Sequence, residues 1–284
     1  MPELPEVEVL VRHLAPLLKN KTIRGVDVRR LRVIAPTPER ELVQALQGAK
    51  FTLVSRRGKY LLFTLRSPAK REPLLLLGHL GMTGRIYLLP KRAPLPKHAA
   101  VVMDLGRYQF VYEDTRYFGR LTLDQSSLTR LGPEPLGPGF TPDYLTAALR
   151  LSSQAIKVRL LDQTLVAGIG NIYAGEALFR AGISPRRPSK KLNPGQVNRL
   201  WEVIREVLAE AIALGSSIPL NFAGTGGKDG LFYYGAAESA PAVSRERFLV
   251  YDRFAKPCSK CGNPIKRLVQ AARSTFYCPR CQPA

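Results

Sequence analysis

Acidic residues and cysteines are scarce in this chain, and long apolar runs are missing. Its 284 residues hold 22 Asp and Glu against 43 Lys and Arg, a formal net charge of +21. Such an imbalance exceeds what an ordinary soluble enzyme carries. It points to a polyanionic partner, either nucleic acid or an anionic membrane surface, with plain solubility as the blander alternative. No apolar stretch nears the roughly 18–20 residues of a membrane-spanning helix. The first eight residues carry Glu3, Glu6 and Glu8, the opposite of a basic signal-peptide start. A cytoplasmic chain that binds nucleic acid and no membrane is therefore expected.

The four cysteines all lie between Cys258 and Cys281, which does not suit a disulfide framework spread through a fold. Cys258 and Cys261 form one C-x2-C pair, and Cys278 and Cys281 another, sixteen residues on. Two such knuckles complete a tetrahedral four-sulfur site, and a closed site of this kind holds structural rather than catalytic zinc. One structural Zn2+ is expected, with four free buried cysteines as the alternative. The segment 251–284 holds seven Lys or Arg and one Asp, and Arg273 lies between the pairs. A short pinned hairpin would present that guanidinium rigidly to a phosphate; a solvated surface arginine is the plainer reading.

Periodicity divides the rest. Pro5 followed by Val7, Leu10, Val11, Leu14, Leu17 and Leu18 predicts an N-terminal helix. Short strands are predicted over Phe51–Ser55, Tyr60–Leu65, Leu74–Leu77, Arg85–Leu89, Ala99–Leu105, Gln109–Tyr112 and Gly119–Leu123, a spacing that suits a sandwich or barrel. Residues 132–142, with four prolines and three glycines, read as a linker. Helical patterns follow: one after Thr141-Pro142, Ser153–Leu161, Ile172–Ala181, and a long one from Asn193-Pro194 to Gly215. A Gly-, Ser- and Ala-rich mobile loop is expected over 215–240. The expected organisation is an α+β chain: a domain over 1–131, a helical domain over 143–250, and a zinc ribbon over 251–284.

Pro2 is a small second residue, so removal of Met1 would expose a secondary amine. An α-amine has a pKa of about 8, so part of it is neutral and nucleophilic at physiological pH. Glu3 and Glu6 stand beside it as potential proton donors. Composition alone favours a simpler reading, a helix start whose acids meet the helix dipole.

Six segments change that balance. MPELPEVE at the start, GHLGMTGR at 78–85, DTRYFG at 114–119, LGPEPL at 131–136, GIGNIYAGEALF at 168–179 and RSTFYCPRCQ at 273–282 together resemble the bacterial-type formamidopyrimidine-DNA glycosylase family. The resemblance runs through practically the whole chain. It implies an N-terminal helix with a β-sandwich, a helix-two-turns-helix domain and a zinc-ribbon hairpin. It implies a bifunctional glycosylase and AP lyase of base excision repair, acting as a monomer on damaged double-stranded DNA in the bacterial cytoplasm and nucleoid. The substrates implied are oxidised purines, with β,δ-elimination through a Schiff base on Pro2.

By the same resemblance Glu3 is the general acid/base and Glu6 a second active-site carboxylate. Lys59, Asn171 and Arg273 grip phosphates near the lesion, Lys59 and Arg273 belonging also to the catalytic set. Lys157 and His98 are further DNA contacts. Met82, Arg116 and Phe118 fill the space left by the everted base. At Tyr117 the family usually has a second arginine, so neighbouring cations are expected to carry affinity there. Segment 217–230 corresponds to the part that folds over the everted base. Two rivals are an endonuclease VIII-like enzyme preferring oxidised pyrimidines and a non-catalytic DNA-binding module.

Overall fold

The computed structural model describes residues 2–68, 71–216 and 248–283. These group into two units, one built on residues up to Thr129 and one beginning at Arg130.

In the first unit, Glu3 caps helix α1 (Leu4–Leu18), with Pro5 in the opening turn where its missing N–H costs nothing. Leu4, Val7, Leu10, Val11, Leu14 and Leu18 form its buried face, and α1 packs on β2. Next come β1 (Gly25–Val28), α2 (Leu31–Ile34), α3 (Glu39–Leu46), β2 (Lys50–Arg57), β3 (Tyr60–Arg66), β4 (Leu74–His79), β5 (Arg85–Pro90), β6 (Ala99–Asp104), β7 (Tyr108–Glu113) and β8 (Arg120–Thr122). Two antiparallel four-stranded sheets result, ordered β1-β6-β7-β5 and β2-β3-β4-β8. Phe51 and Phe63 from one sheet meet Phe110 from the other, with ring centroids 5.6 to 6.3 Å apart. All three rings are fully buried in the core that also takes the apolar face of α1.

The second unit contains α4 (Pro142–Arg150), α5 (Ile156–Leu160), α6 (Asn171–Arg180), α7 (Pro194–Ser216) and the antiparallel hairpin β9 (Lys266–Gln270) and β10 (Arg273–Tyr277). Thr141 caps α4 by accepting from the Tyr144 N–H. Leu145, Leu149, Ile156, Leu160, Leu178, Leu200, Ile204 and Leu208 share one apolar core.

All seven predicted strands form, and so does the N-terminal helix. β1 and α2 escape sequence reading because four residues are too few to show a period, and α3 because its apolar face, Leu42, Ala45 and Leu46, spans little more than two turns. The proline-rich run 132–142 forms no strand, and only its last residue enters a helix, yet its backbone is held. Pro133 O accepts from Ala167 N–H, Pro135 O from Arg205, and Phe140 O from the Trp201 indole at 2.6 Å. Gly215 and Ser216 end α7, and the remainder of the loop expected over 215–240, including 217–230, lies outside the described residues. Among the described residues no helix is long and apolar enough to cross a membrane.

Replacing Phe63 with Ala removes the ring that touches both aromatic partners. A loss of about 3–5 kcal/mol is expected in denaturant unfolding, against about 0.5 kcal/mol or less for Leu53→Ala on the exposed side of β2.

Candidate functional site

Pro2 is buried at the entrance of α1. Two carboxylates follow it in the chain, Glu3 and Glu6, each only 1% exposed. Glu3 accepts the backbone N–H of Glu6, while the Glu3 N–H donates to Glu6 Oε2 at 2.7 Å. This reciprocal pair satisfies donors that a helix start leaves without partners. One turn on, Glu8 accepts from Arg12 at 2.8 Å and from Arg56 at 2.9 Å. Burial pushes the Glu8 pKa up, but the two arginines outweigh it and hold the carboxyl below its ordinary range.

Arg56 also donates to Gly58 O at 3.0 Å. Gly58 and Lys59 form the two-residue turn between β2 and β3, where Arg57 pairs with Tyr60. Gly58 has φ +56°, the positive value a tight hairpin needs at its first central position. A short chain of contacts, Glu8 to Arg56 to the Gly58 carbonyl, thus ties α1 to the turn that carries Lys59. Lys59 is 7% exposed, and its charge is felt by His79 on β4. His79 is pushed from its ordinary 6.5 to about 4, by burial first and by Lys59 and Arg120 next. Its Nδ1 accepts the Gly81 N–H at 3.1 Å.

Met82, Arg116 and Phe118 come together. An Arg116 N–H points at the Met82 sulfur at 3.4 Å, and its guanidinium lies 4.6 Å from the Phe118 ring centroid. Met82 and Phe118 are each 43% exposed, unusual for large apolar side chains. Tyr117 packs instead against the core, with its hydroxyl 3.3 Å from His98 Nδ1. Arg30 stands 5.4 Å from the Tyr117 ring centroid and Arg32 5.6 Å from that of Phe118. These are the cations that neighbour Tyr117 and Phe118.

In the second unit, Gly168 at φ +94° turns the chain into α6, whose first residue is Asn171. Lys157 on α5 is 1% exposed, and its Nζ donates to Asn171 Oδ1 at 2.6 Å, Thr275 Oγ1 at 2.7 Å and Ser274 O at 3.2 Å. Asn171 in turn donates to Ser274 O at 3.0 Å. The ammonium therefore spends its protons inside the protein, joining α5 and α6 to the strand that starts with Arg273. Arg273 is exposed, just after a turn in which Ala271 and Ala272 both have positive φ, +46° and +57°. Residues with a Cβ disfavour that region by about 1–2 kcal/mol each, so the tight turn before Arg273 forms at some cost.

Sequence reasoning missed Glu176. This buried carboxylate on α6 accepts the N–H groups of Leu249, Val250 and Tyr251 at 2.9 to 3.0 Å and so fixes the lead into the ribbon. The one available signal was a charge in the middle of an otherwise apolar stretch, Ile172–Phe179.

The four cysteine sulfurs lie within 4.8 Å of one another, with Cys258 and Cys281 at 3.9 Å and Cys261 and Cys278 at 3.4 Å. Tetrahedral zinc with Zn–S bonds of ~2.3 Å needs sulfurs about 3.8 Å apart. The Lys260 and Cys281 N–H groups point at Cys258 and Cys278 sulfur, each at 3.4 Å, as donors to thiolates would. The residues fit one Zn2+, which would cross-link the two knuckles and leave no open position for chemistry.

Three family models match the chain: the formamidopyrimidine-DNA glycosylase N-terminal domain over residues 1–121, the formamidopyrimidine-DNA glycosylase H2TH domain over 131–221, and the zinc finger found in FPG and IleRS over 255–284. The chain belongs to the formamidopyrimidine-DNA glycosylase family. The family's enzyme from Desulfitobacterium hafniense is 40% identical over 289 residues, covering 99% of this chain and 100% of that one. The Chloroflexus aggregans enzyme is 42% identical over 290 residues, covering 99% and 98%. Among solved structures, Lactococcus lactis Fpg with DNA containing N7-benzyl-Fapy-dG superposes with a TM-score of 0.85 at 33% identity, covering 100% of both chains. The same bacterium's Fpg with abasic-site DNA gives 0.86 at 32%, covering 99% and 100%. This glycosylase is thus a DNA-repair family member with a mixed α+β fold, an H2TH region and a zinc finger.

The His79 environment predicts a pH effect. The unfolded chain protonates this ring near 6.5, whereas the folded chain resists protonation down to about 4. The stabilisation is complete above pH 6.5 and is lost as the pH falls toward 4. Urea midpoints measured across that window should fall in the wild type and fall less in His79→Asn, which retains an acceptor for Gly81.

Proposed function

We propose that the chain is a bifunctional DNA glycosylase and AP lyase that removes oxidised purines, such as 8-oxoguanine and formamidopyrimidines, from double-stranded DNA. The observation that carries this reading is the pair of buried, reciprocally bonded carboxyl groups, Glu3 and Glu6, in the turn that follows a buried Pro2. With Met1 removed, the neutral Pro2 amine attacks C1′ as the bond from C1′ to the base breaks. Glu3 donates a proton to the departing base or to the opening sugar oxygen. As the sugar ring opens, the Pro2 nitrogen gives its proton to solvent and becomes an iminium. The Glu3 carboxylate left by its proton donation takes the C2′ proton, now acidic, and the 3′ phosphate leaves; water then takes the C4′ proton as the 5′ phosphate leaves, a β,δ-elimination. Water releases the sugar fragment from Pro2.

Lys59, Asn171 and Arg273 hold phosphates around the lesion in this reading. The three protein acceptors of Lys157 give it a supporting task, fixing Asn171 and the Arg273 strand. Met82, Arg116 and Phe118 enter the stack when the base is turned out, an eversion that costs a few kcal/mol. His98 and Arg30 flank Tyr117 and add polar and cationic contacts at that margin. The net charge of +21 supplies the long-range attraction to DNA. The enzyme works in this reading as a cytoplasmic monomer associated with the nucleoid.

A preference for oxidised pyrimidines is a second reading, favoured by one neighbour: Lactococcus lactis Fpg has been solved with DNA containing an oxidised pyrimidine. Duplex oligonucleotides with one 8-oxoguanine or one thymine glycol separate the two. Faster release of 8-oxoguanine, with both elimination products on a gel, is expected. Faster thymine glycol release would overturn the purine assignment, and base release without strand cleavage would overturn the lyase.

A further inference from the structure

Half-exposed apolar side chains have little packing of their own to hold them, and Met82 and Phe118 both lie beside Arg116. Met82 sits on the loop between β4 and β5, and Arg116 and Phe118 on the loop between β7 and β8. A single side chain is bonded to both loops. Asp114 is fully buried. Its Oδ1 accepts the Thr83 hydroxyl at 2.5 Å and the Arg116 backbone N–H at 3.1 Å. Its Oδ2 accepts the Gly119 N–H at 2.8 Å. Thr83 follows Met82, and Arg116 and Gly119 bracket Tyr117 and Phe118. A buried carboxylate is tolerated only where donors replace its water, and here the donors come from the two loops that carry the three side chains.

The backbones of these loops are also in direct contact. A Cβ on Gly81 would lie 2.7 Å from Gly119 N and 2.8 Å from Phe118 C. One on Gly119 would lie 1.7 Å from the Tyr112 hydroxyl oxygen. Tyr117 at φ +53° completes the tight arch between the two N–H groups that Asp114 binds.

We propose that Asp114 is a positioning residue for base eversion: it locks the 80–84 and 114–119 loops together, so that Met82, Arg116 and Phe118 meet DNA as one preassembled wedge. This rests on the reading that those three enter the duplex. The wedge is ordered during folding, and little of the cost of ordering it falls on the step in which the base leaves the stack. Asp114 touches no reacting atom, so its loss is felt where eversion limits the reaction and hardly at all where there is no base to evert.

The test compares two substrates in one variant series. For Asp114→Asn, kcat/KM for 8-oxoguanine excision from a fully paired duplex should fall about 10-fold or more, while strand cleavage at a preformed abasic site stays within about twofold. Thr83→Val keeps the side-chain shape and removes one donor. It should show the same split with a smaller loss, and it serves if the Asn variant does not fold. The double variant Met82→Ala/Phe118→Ala is the reference for the wedge itself. If that reference excises like wild type, the insertion reading falls. If it is impaired while Asp114→Asn and Thr83→Val excise like wild type, or lose both activities equally, the role given to Asp114 is overturned and the insertion reading stands.

Discussion

The first unit depends chemically on how a helix start disposes of two acids. Glu3 and Glu6 are buried within one turn, a placement that ordinarily costs several kcal/mol per ion. They are tolerated because each accepts a backbone N–H near the other, donors that the first turn would otherwise leave unmet. One arrangement therefore caps the helix and buries two carboxyl groups in the turn that follows Pro2. Glu8 and Arg56 extend the same logic one turn further and connect α1 to the Lys59 turn. In the proposed mechanism stability and reactivity share the same atoms, so replacing either acid is expected to disturb the helix start as well as the chemistry.

Much of this was legible in the sequence, and what was not has a common cause. The strands and α1 announce themselves through local periodicity, since Phe51, Phe63 and Phe110 each sit in a recognisable apolar run. The cysteine knuckles are legible because a metal site imposes its spacing on the chain. The residues that escaped, Asp114, Glu176 and Arg56, are polar groups whose partners lie elsewhere in the sequence. Glu176 binds amides 73 to 75 positions away, and Asp114 binds a hydroxyl 31 positions away. Local partners exist too, Arg116 and Gly119 for Asp114 and Gly58 for Arg56, but the contacts that join one segment to another fall outside any short window of sequence. Lys157 illustrates the converse: resemblance marked it as a DNA contact, but its depth and its three acceptors could be known only from the fold.

The two units solve a similar problem with different means. In the first, a carboxylate binds loop amides to hold side chains that face outward. In the second, an ammonium binds a helix-start amide oxygen and a strand carbonyl and hydroxyl, and a zinc site cross-links the two knuckles that flank the hairpin. Each device puts the ordering cost into folding, where a hydrophobic core can offset it, rather than into binding.

The central claim, that the α-amine of Pro2 is the nucleophile, is tested most directly by borohydride reduction of the enzyme on an abasic-site duplex, followed by peptide mapping of the adduct. The account predicts one covalent adduct on the N-terminal peptide, at the nitrogen of Pro2, in chains that have lost Met1. An adduct on a lysine such as Lys59, or none on chains shown to begin at Pro2, would contradict it.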